Sequence, residues 1–476
     1  MSLKLHNTYS HKIEELKPSN SDGIIRMYCC GPTVYNYAHI GNLRTYVFED
    51  VLRRTIKRAG FPLTHVMNVT DVGHLTSDAD EGDDKMLLAA EREKKSVLDI
   101  ARKYEDIFFQ HEKALNIERP DIVCRATDHV QDMIKFVEKL EEKGFAYFSN
   151  GNVYFDTAKF PAYGNLSGQN RKDLMHGARV ETDANKRNPS DFVLWFTSSK
   201  FKDQILQWDS KWGRGYPGWH IECSAMSMKY LGEHLDIHCG GVDHIAVHHE
   251  NEIAQSEAYL SHKWCQMWLH GEFLQMKNDV KMSKSKGNFI TLDTLIEKGY
   301  NPLAYRYLIL TSHYRSPLIF SYENLDAAAQ ALNNLKAKYA ELSNDKDAVY
   351  SPDDEAKLQN YLQEFDAHLF NDLHTPQAMA LVWKVVKDKD FPASLKLKFL
   401  DNVDMIFALD MNVPAVERNC ECERVLDDEI LKLIEERKAA RLAKNWAKSD
   451  EIRDLLLAKG VVVKDMPGNE VEISFK

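Results

Sequence analysis

The chain has 476 residues, 44% of them hydrophobic, enough to fill the cores of roughly two to four domains. Its formal net charge of -11 argues against indiscriminate binding to nucleic-acid backbones, which takes clustered Lys and Arg, while leaving room for a local basic face. The eight cysteines are too sparse for a disulfide scaffold, the N-terminal segment lacks the apolar core of a signal peptide, and no run approaches the roughly 20 apolar residues of a membrane span, so the expectation is a cytosolic protein.

GIIRMYCCG (23–31) reads as a buried strand ending at Gly31 and Pro32, and NLRTYVFEDVLRRTIKRAG (42–60) as an amphipathic helix closed by Gly60. LTHVMNVTD (63–71) follows as a second strand. Together they make a βαβ unit of a parallel sheet, whose ligands bind at the carboxyl ends of the strands, here the loops after Cys30 and Thr70. From about Lys113 to Trp212 the helical HVQDMIKFVEKLEEKG gives way to short apolar runs, NVYFDT and DFVLWF, among Gly, Asn and Pro, the pattern of an α+β insertion. LDIHCGG (235–241) and ENEIAQSEAYL (250–260) resume the alternation, so the parallel sheet is expected to be split by that insertion. Beyond about Pro317 the pattern is helical, with LDAAAQALNNLKAKYAEL and PQAMALVWKVVKD as amphipathic segments. A last boundary falls near NVPAVERNCECERV, before a charged helix pair and the β-like ends VVVKD and VEISFK.

PTVYNYAHIGNLRT (32–45) puts His39 and Gly41 at the entrance of the first helix, where exposed N–H groups and the helix dipole favour phosphate. The cationic VKMSKSKGN (280–288), with Lys281 and Lys284, suits charge that develops during phosphoryl chemistry. Six of the 19 histidines (His220, His234, His238, His244, His248 and His249) crowd one interval. Within HHENE (248–252), His248 and Glu252 stand four apart and can converge on one point of a helix face, with His249 and Glu252 as a less favourable pair. Zn²⁺ takes four ligands and favours soft thiolates among them, which Cys30 and Cys223 can bring to the same edge of the sheet. A zinc hydrolase is a competing reading, but no second His follows at HExxH spacing and the lysine loop would go unexplained. A non-catalytic zinc-stabilised RNA-binding module fails on the same loop.

Taken together, PTVYNYAHIGN and KMSKS, roughly 240 residues apart on a split parallel sheet, resemble the two signatures of the class I aminoacyl-tRNA synthetases. The first departs from the His-Ile-Gly-His form by ending in Asn42, which leaves His39 as its only imidazole. MYCCGPTVY, GWHIECSAM, HHENEIAQS and SHYRSPL are similar to segments of the cysteinyl-tRNA synthetase family within that class. The resemblance implies an α/β chain: a split Rossmann-like parallel-sheet catalytic domain (1–112 and 213–275) with an α+β connective insertion (113–212), then a lysine-loop and stem-contact region (276–316), a helical bundle (317–412) and a small C-terminal anticodon-binding domain (413–476).

The same resemblance implies partners and roles. L-cysteine and ATP, with Mg²⁺, would form cysteinyl-adenylate and pyrophosphate, and the acyl group would pass to the terminal ribose of tRNA(Cys), in a monomer that stays off membranes. One Zn²⁺ per chain would be held by Cys30, Cys223, His248 and Glu252 and would select the substrate thiol, since a shape-based pocket separates cysteine from serine poorly. Catalysis would fall to His39, Lys281 and Lys284, ATP binding to His39, Gly41, Gly240, Gly241, Asp243 and Lys284, and the amino-acid pocket to Thr70, Trp219 and His238. Arg437, Arg441, Lys444 and Lys448, with Trp446 among them, would face the anticodon. A related ligase that joins cysteine to an amino-sugar shares both signatures but lacks the complete tail present here.

Overall fold

Two short strands that the sequence pattern did not reveal, β1 (Lys4–Asn7) and β2 (Lys12–Glu15), pair as an antiparallel hairpin ahead of the expected βαβ unit. The unit itself follows as β3 (Ile25–Cys29), α1 (Ile40–Arg58) and β4 (Leu63–Val69). The computed structural model describes residues 1–72, 85–168, 185–197, 206–276, 289–345, 350–414, 428–442, 445–458, 461–465 and 471–475. The expected lysine loop with Lys281 and Lys284, and Lys444, lie outside the described residues.

After α2 (Lys85–Glu93) and α3 (Val97–Ala114) comes β5 (Ile122–Arg125), which pairs in parallel with β4. The catalytic sheet therefore runs past residue 112, where the sequence reading ended its first half. Helix α4 (Val130–Glu142) leads to β6 (Ala146–Ser149), β7 (Asn152–Phe155), β8 (Phe192–Phe196) and β9 (Tyr216–Pro217), a separate antiparallel sheet inserted between the halves. Helix α5 (Trp219–Leu231), β10 (Leu235–Gly241), α6 (His248–Leu260) and β11 (Cys265–Gly271) return to the parallel sheet, whose order is β11-β10-β3-β4-β5. Its centre, β3 and β10, is buried on both faces, so successive residues of these strands do not alternate between core and solvent.

Strand β12 (Leu274–Met276) pairs in parallel with β13 (Leu318–Phe320) across α7 (Leu292–Glu297) and α8 (Pro302–Leu310). The bundle helices α9 (Tyr322–Ser343), α10 (Pro352–Leu369), α11 (Thr375–Lys387) and α12 (Ala393–Phe407) share one apolar core with α1 and the sheet, through residues such as Leu52, Leu308, Phe365 and Phe399. Two buried arginines fix α1 in this setting. Arg44 donates to the backbone carbonyls of Glu272, Phe273, His313 and Ser316, and Arg306 to those of Leu115, Ile406 and Phe407 and to the Asp50 carboxylate.

Residues 416–476 form a second compact unit of α13 (Asp428–Leu442), α14 (Trp446–Ala458) and the antiparallel pair β14 (Val461–Asp465) and β15 (Val471–Phe475). Ile434, Ile452, Leu456 and Val463 make its core. Arg437 is buried here at 2% exposure, so it does not belong to the expected basic face, whereas Trp446 is 57% exposed with the Arg441 guanidinium 5.8 Å from its ring centre. Among the described residues no helix is long and apolar enough to cross a membrane.

One buried carboxyl makes stability depend on pH. Both oxygens of Glu112, on α3, are buried without a hydrogen-bond partner, and burial, then the charge of Asp50, pushes its pKa up to about 8. The folded chain keeps this proton while the unfolded chain loses it near the usual carboxylate range, so stability falls as pH rises from about 4.5 to 8 and levels off above. Glu112→Gln removes that slope: in denaturant titrations the variant is expected to match the parent near pH 4.5 and to exceed it by a few kcal/mol at pH 8. Equal stability differences at both pH values would contradict this.

Candidate metal centre and ligand pocket

At the carboxyl edge of the sheet lies a cavity of about 330 Å³. Cys30 and Thr70 reach it just beyond β3 and β4, Gly240 and Gly241 at the end of β10, and Trp219, Cys223 and His248 from the first turns of α5 and α6. His39, Asp243 and His244 also line it. Glycine is required at two of the approaches. A Cβ on Gly31 would stand 1.6 Å from the Asn68 carbonyl oxygen, and one on Gly218 would stand 2.1 Å from that of Val193. The missing Cβ atoms of Gly240 and Gly241 leave room for the rings of His244 and His249 and for the Asp243 carboxylate.

Five donor side chains meet beneath the cavity. Cys30 Sγ is 4.0 Å from Cys223 Sγ, 4.0 Å from Glu252 Oε1 and 3.3 Å from His249 Nε2. His248 Nε2 is 3.0 Å from Glu252 Oε1, the i, i+4 contact read from the sequence. Cys30, His248, His249 and Glu252 each place a ligand atom within 4.8 Å of the others, and all four are buried. Cys223 therefore stands at the margin of the tightest cluster and His249 within it, which the sequence reading did not anticipate. Tetrahedral bonds of about 2.0–2.3 Å put ligand atoms roughly 3.3–3.8 Å apart, so this donor set is of the size and softness that suit Zn²⁺.

The electrostatics favour a cation. Burial would raise the Glu252 carboxyl, but the charges of His238 and His248 bring it down to about 2. Burial likewise works against ionising the Cys223 thiol, yet its hydrogen bond with Cys30 and the nearby His248 lower it to about 6. His248 goes the other way: burial lowers it, Glu252 and Cys223 raise it further, to about 10. Burial pushes His249 well below its ordinary value, so it enters as a neutral ring.

The remaining histidines orient these donors. His238 lies behind the cavity wall, fully buried, with Nε2 2.9 Å from Glu252 Oε2 and its ring stacked on Trp268, so it positions the carboxylate instead of facing the pocket. His220 Nδ1 meets His248 Nδ1 at 2.9 Å, and His249 Nδ1 meets His270 Nε2 at 2.8 Å. Trp219 stacks on the His248 ring at 4.3 Å and walls the cavity. Glu250 and Asn251 hold the insertion: Glu250 accepts from the N–H groups of Gly164, Leu166 and Ser167, and Asn251 from the Tyr163 hydroxyl.

The first signature is a capping box. His39 is the N-cap of α1, its Nδ1 accepting from the Asn42 N–H at 3.1 Å while Asn42 Oδ1 accepts from the His39 N–H at 3.2 Å. Asn42 thus takes a structural task, and Gly41 sits in the first turn. With Nδ1 an acceptor, the neutral ring carries its proton on Nε2. The residues just after the lysine loop are pinned here too, Ile40 N–H donating to Ile290 O at 2.9 Å and Phe289 packing edge-on against the His39 ring.

A profile described as "tRNA synthetases class I (C) catalytic domain" matches residues 16–330, and one described as "Cysteinyl-tRNA ligase anticodon binding domain" matches residues 423–470. The chain is 50% identical to a cysteine--tRNA ligase of Treponema denticola, over 98% of this chain and 99% of that one. The chain belongs to the cysteine--tRNA ligase family. A Borrelia hermsii member is 46% identical and a Treponema pallidum member 41%, each over 98% of both chains. A methionyl-tRNA synthetase of Mycobacterium tuberculosis in complex with methionyl-adenylate shares the fold, with a TM-score of 0.56 over 81% of this chain and 90% of that one at 14% identity.

Proposed function

We propose that the protein joins L-cysteine to tRNA(Cys) with ATP, by way of cysteinyl-adenylate, and that Zn²⁺ held by Cys30, Cys223, His248 and Glu252 selects the substrate thiol. The observation that carries this is two thiols, an imidazole and a carboxylate converging at the floor of the cavity that His39 caps. Bound there, zinc supplies a ligand position that favours a thiolate over a hydroxyl. Two thiols make a softer set than one thiol with two imidazoles, which favours Cys223 over His249 as fourth ligand and leaves His249 to hydrogen-bond the Cys30 sulfur.

Trp219 and Thr70 enclose the small amino acid. Its carboxylate oxygen attacks the α-phosphorus of ATP, pyrophosphate leaves, and the acyl group then moves to a ribose hydroxyl of the tRNA terminus with release of AMP. The His39 Nε2–H and the amides at the start of α1 face the phosphates, Gly240, Gly241 and Asp243 form the wall for the nucleoside, and Mg²⁺ accompanies ATP. Lys284, supported by Lys281, neutralises charge developing on the phosphates. The anticodon-domain match at residues 423–470, with exposed Trp446 beside Arg441, favours tRNA over an amino-sugar as acceptor.

Cysteine-dependent exchange between ATP and labelled pyrophosphate, followed by charging of tRNA(Cys), tests the assignment, and absence of the exchange would refute it. Lys284→Ala is expected to slow exchange by about 10²–10³-fold while cysteine binding holds, as for removal of one preorganised charge from a phosphoryl site. An unchanged rate would remove Lys284 from the mechanism.

A further inference from the structure

A metal that binds sulfur separates cysteine from serine but not from L-homocysteine, whose thiol is of the same kind and stands one methylene further out. Length must be read elsewhere in the site. Trp219 has the largest side chain lining the cavity, and its ring lies 4.3 Å from that of His248 with 30° between the planes. The rings of His220 and His244 follow at 5.4 and 6.2 Å. Three imidazoles thus support the indole.

The backbone that carries the indole is held as well. Trp219 opens α5 two positions after β9, the last strand of the insertion. That strand pairs with β8, Pro217 opposite Trp195 and Tyr216 opposite Phe196, and the Gly218 N–H donates to the Leu194 carbonyl of β8 at 3.0 Å. Gly218 lies so close to β8 that the start of α5 has no room to shift toward it. Phe192, also on β8, packs edge-on against His220 at 5.7 Å, and His220 Nδ1 meets His248 Nδ1 at 2.9 Å. To admit a longer side chain, the indole would have to displace His248, a metal donor, or separate α5 from β8. Neither yields easily in a close-packed interior.

We propose that Trp219, backed by the insertion through Gly218 and by the His248 ring, is a length stop that excludes L-homocysteine, a thiol that the metal donors alone would accept. This rests on reading the cavity as the cysteine site. The metal then distinguishes sulfur from oxygen, and the indole limits how far that sulfur can stand from the amino acid's backbone. Strand β8 thereby gains a part in specificity although no residue of it lines the cavity.

The test measures binding of L-cysteine and of L-homocysteine to the zinc-loaded protein by calorimetry, together with zinc content and the pyrophosphate exchange that each amino acid supports. The parent is expected to bind L-homocysteine about 10- to 200-fold more weakly than L-cysteine, the scale of one methylene in a fitted pocket. Trp219→Leu should remove most of that gap. Its zinc content and its cysteine-to-serine ratio should stay at the parent level, because His248 keeps its contacts with Glu252 Oε1 at 3.0 Å and with His220 at 2.9 Å. Trp219→Phe, which keeps a ring against His248, should narrow the gap less. Equal narrowing in the two variants, or an unchanged gap in Trp219→Leu with zinc retained, would overturn the proposal. So would loss of zinc from both variants, which would make Trp219 a support for the metal instead of a stop for the substrate. Absence of cysteine-dependent pyrophosphate exchange in the unaltered protein would sink the site assignment itself, whereas normal exchange with L-homocysteine bound as tightly as L-cysteine would strike only the length stop.

Discussion

Cys223→Ser is expected to release the metal and to erase most of the preference for cysteine over serine. The parent should carry one zinc per chain and the variant almost none, since a hydroxyl replaces a thiol that its neighbours already bring down to about 6. Cysteine-dependent pyrophosphate exchange should fall by at least about 100-fold, the scale of losing a preorganised electrostatic contact, and the cysteine-to-serine ratio should collapse toward the 10- to 200-fold that pocket shape alone supplies. Chelation of the parent should reproduce both effects and added Zn²⁺ reverse them. His249→Gln separates the two donor sets that the geometry offers: zinc retained there and lost in Cys223→Ser fits Cys223 as ligand, and the opposite pattern would exchange the roles of these residues.

Arg306→Met is expected to produce the largest loss of stability. The guanidinium and the Asp50 carboxylate are fully buried, and Arg306 also satisfies the carbonyls of Leu115 and Phe407 at 2.8 and 2.6 Å. Removing one member of a buried pair strands the other, which costs about 3–5 kcal/mol. Here Arg54 and the Glu118 N–H still touch Asp50, at 2.9 Å each, so the lower end of that range is expected. Arg306→Met combined with Asp50→Leu should recover part of the loss in urea titrations, because the stranded charge is gone while the carbonyls stay unsatisfied. A double variant less stable than Arg306→Met would show that the charge is not the main term.

The sequence carried the alternation of strand and helix well because β3, β4 and β10 are short segments rich in apolar residues that end at turn residues, and α1 is amphipathic. The β1–β2 hairpin was hidden by its polar composition, its second strand being almost wholly solvent-facing. The strand β5 was hidden by its brevity, four residues after a long helix, which misplaced the start of the insertion. Among site residues, spacing on a helix exposed His248 and Glu252 as a pair, but no spacing rule brings Cys30 and Cys223 together across 193 residues. Glu222 went unremarked although it is a carboxylate on a buried helix face, and that mismatch between charge and surroundings was the available signal. His238, expected at the amino-acid pocket from its position at the carboxyl end of a strand, is fully buried against Glu252 and Trp268, a depth that strand position alone does not show.

The clamp on Glu250 grips mainly main chain, with the Ser167 side chain adding to it. Three amides of residues 164–167 satisfy it, so what the catalytic core reads from the insertion is the path of the backbone. Of these positions only Gly164, held at φ +96°, is conformationally committed. Sequence drift at exposed Asn165 leaves the grip intact. The insertion can thus vary its exposed side chains while its seat on the helix that carries His248 and Glu252 remains constant, much as interchangeable heads fit one socket.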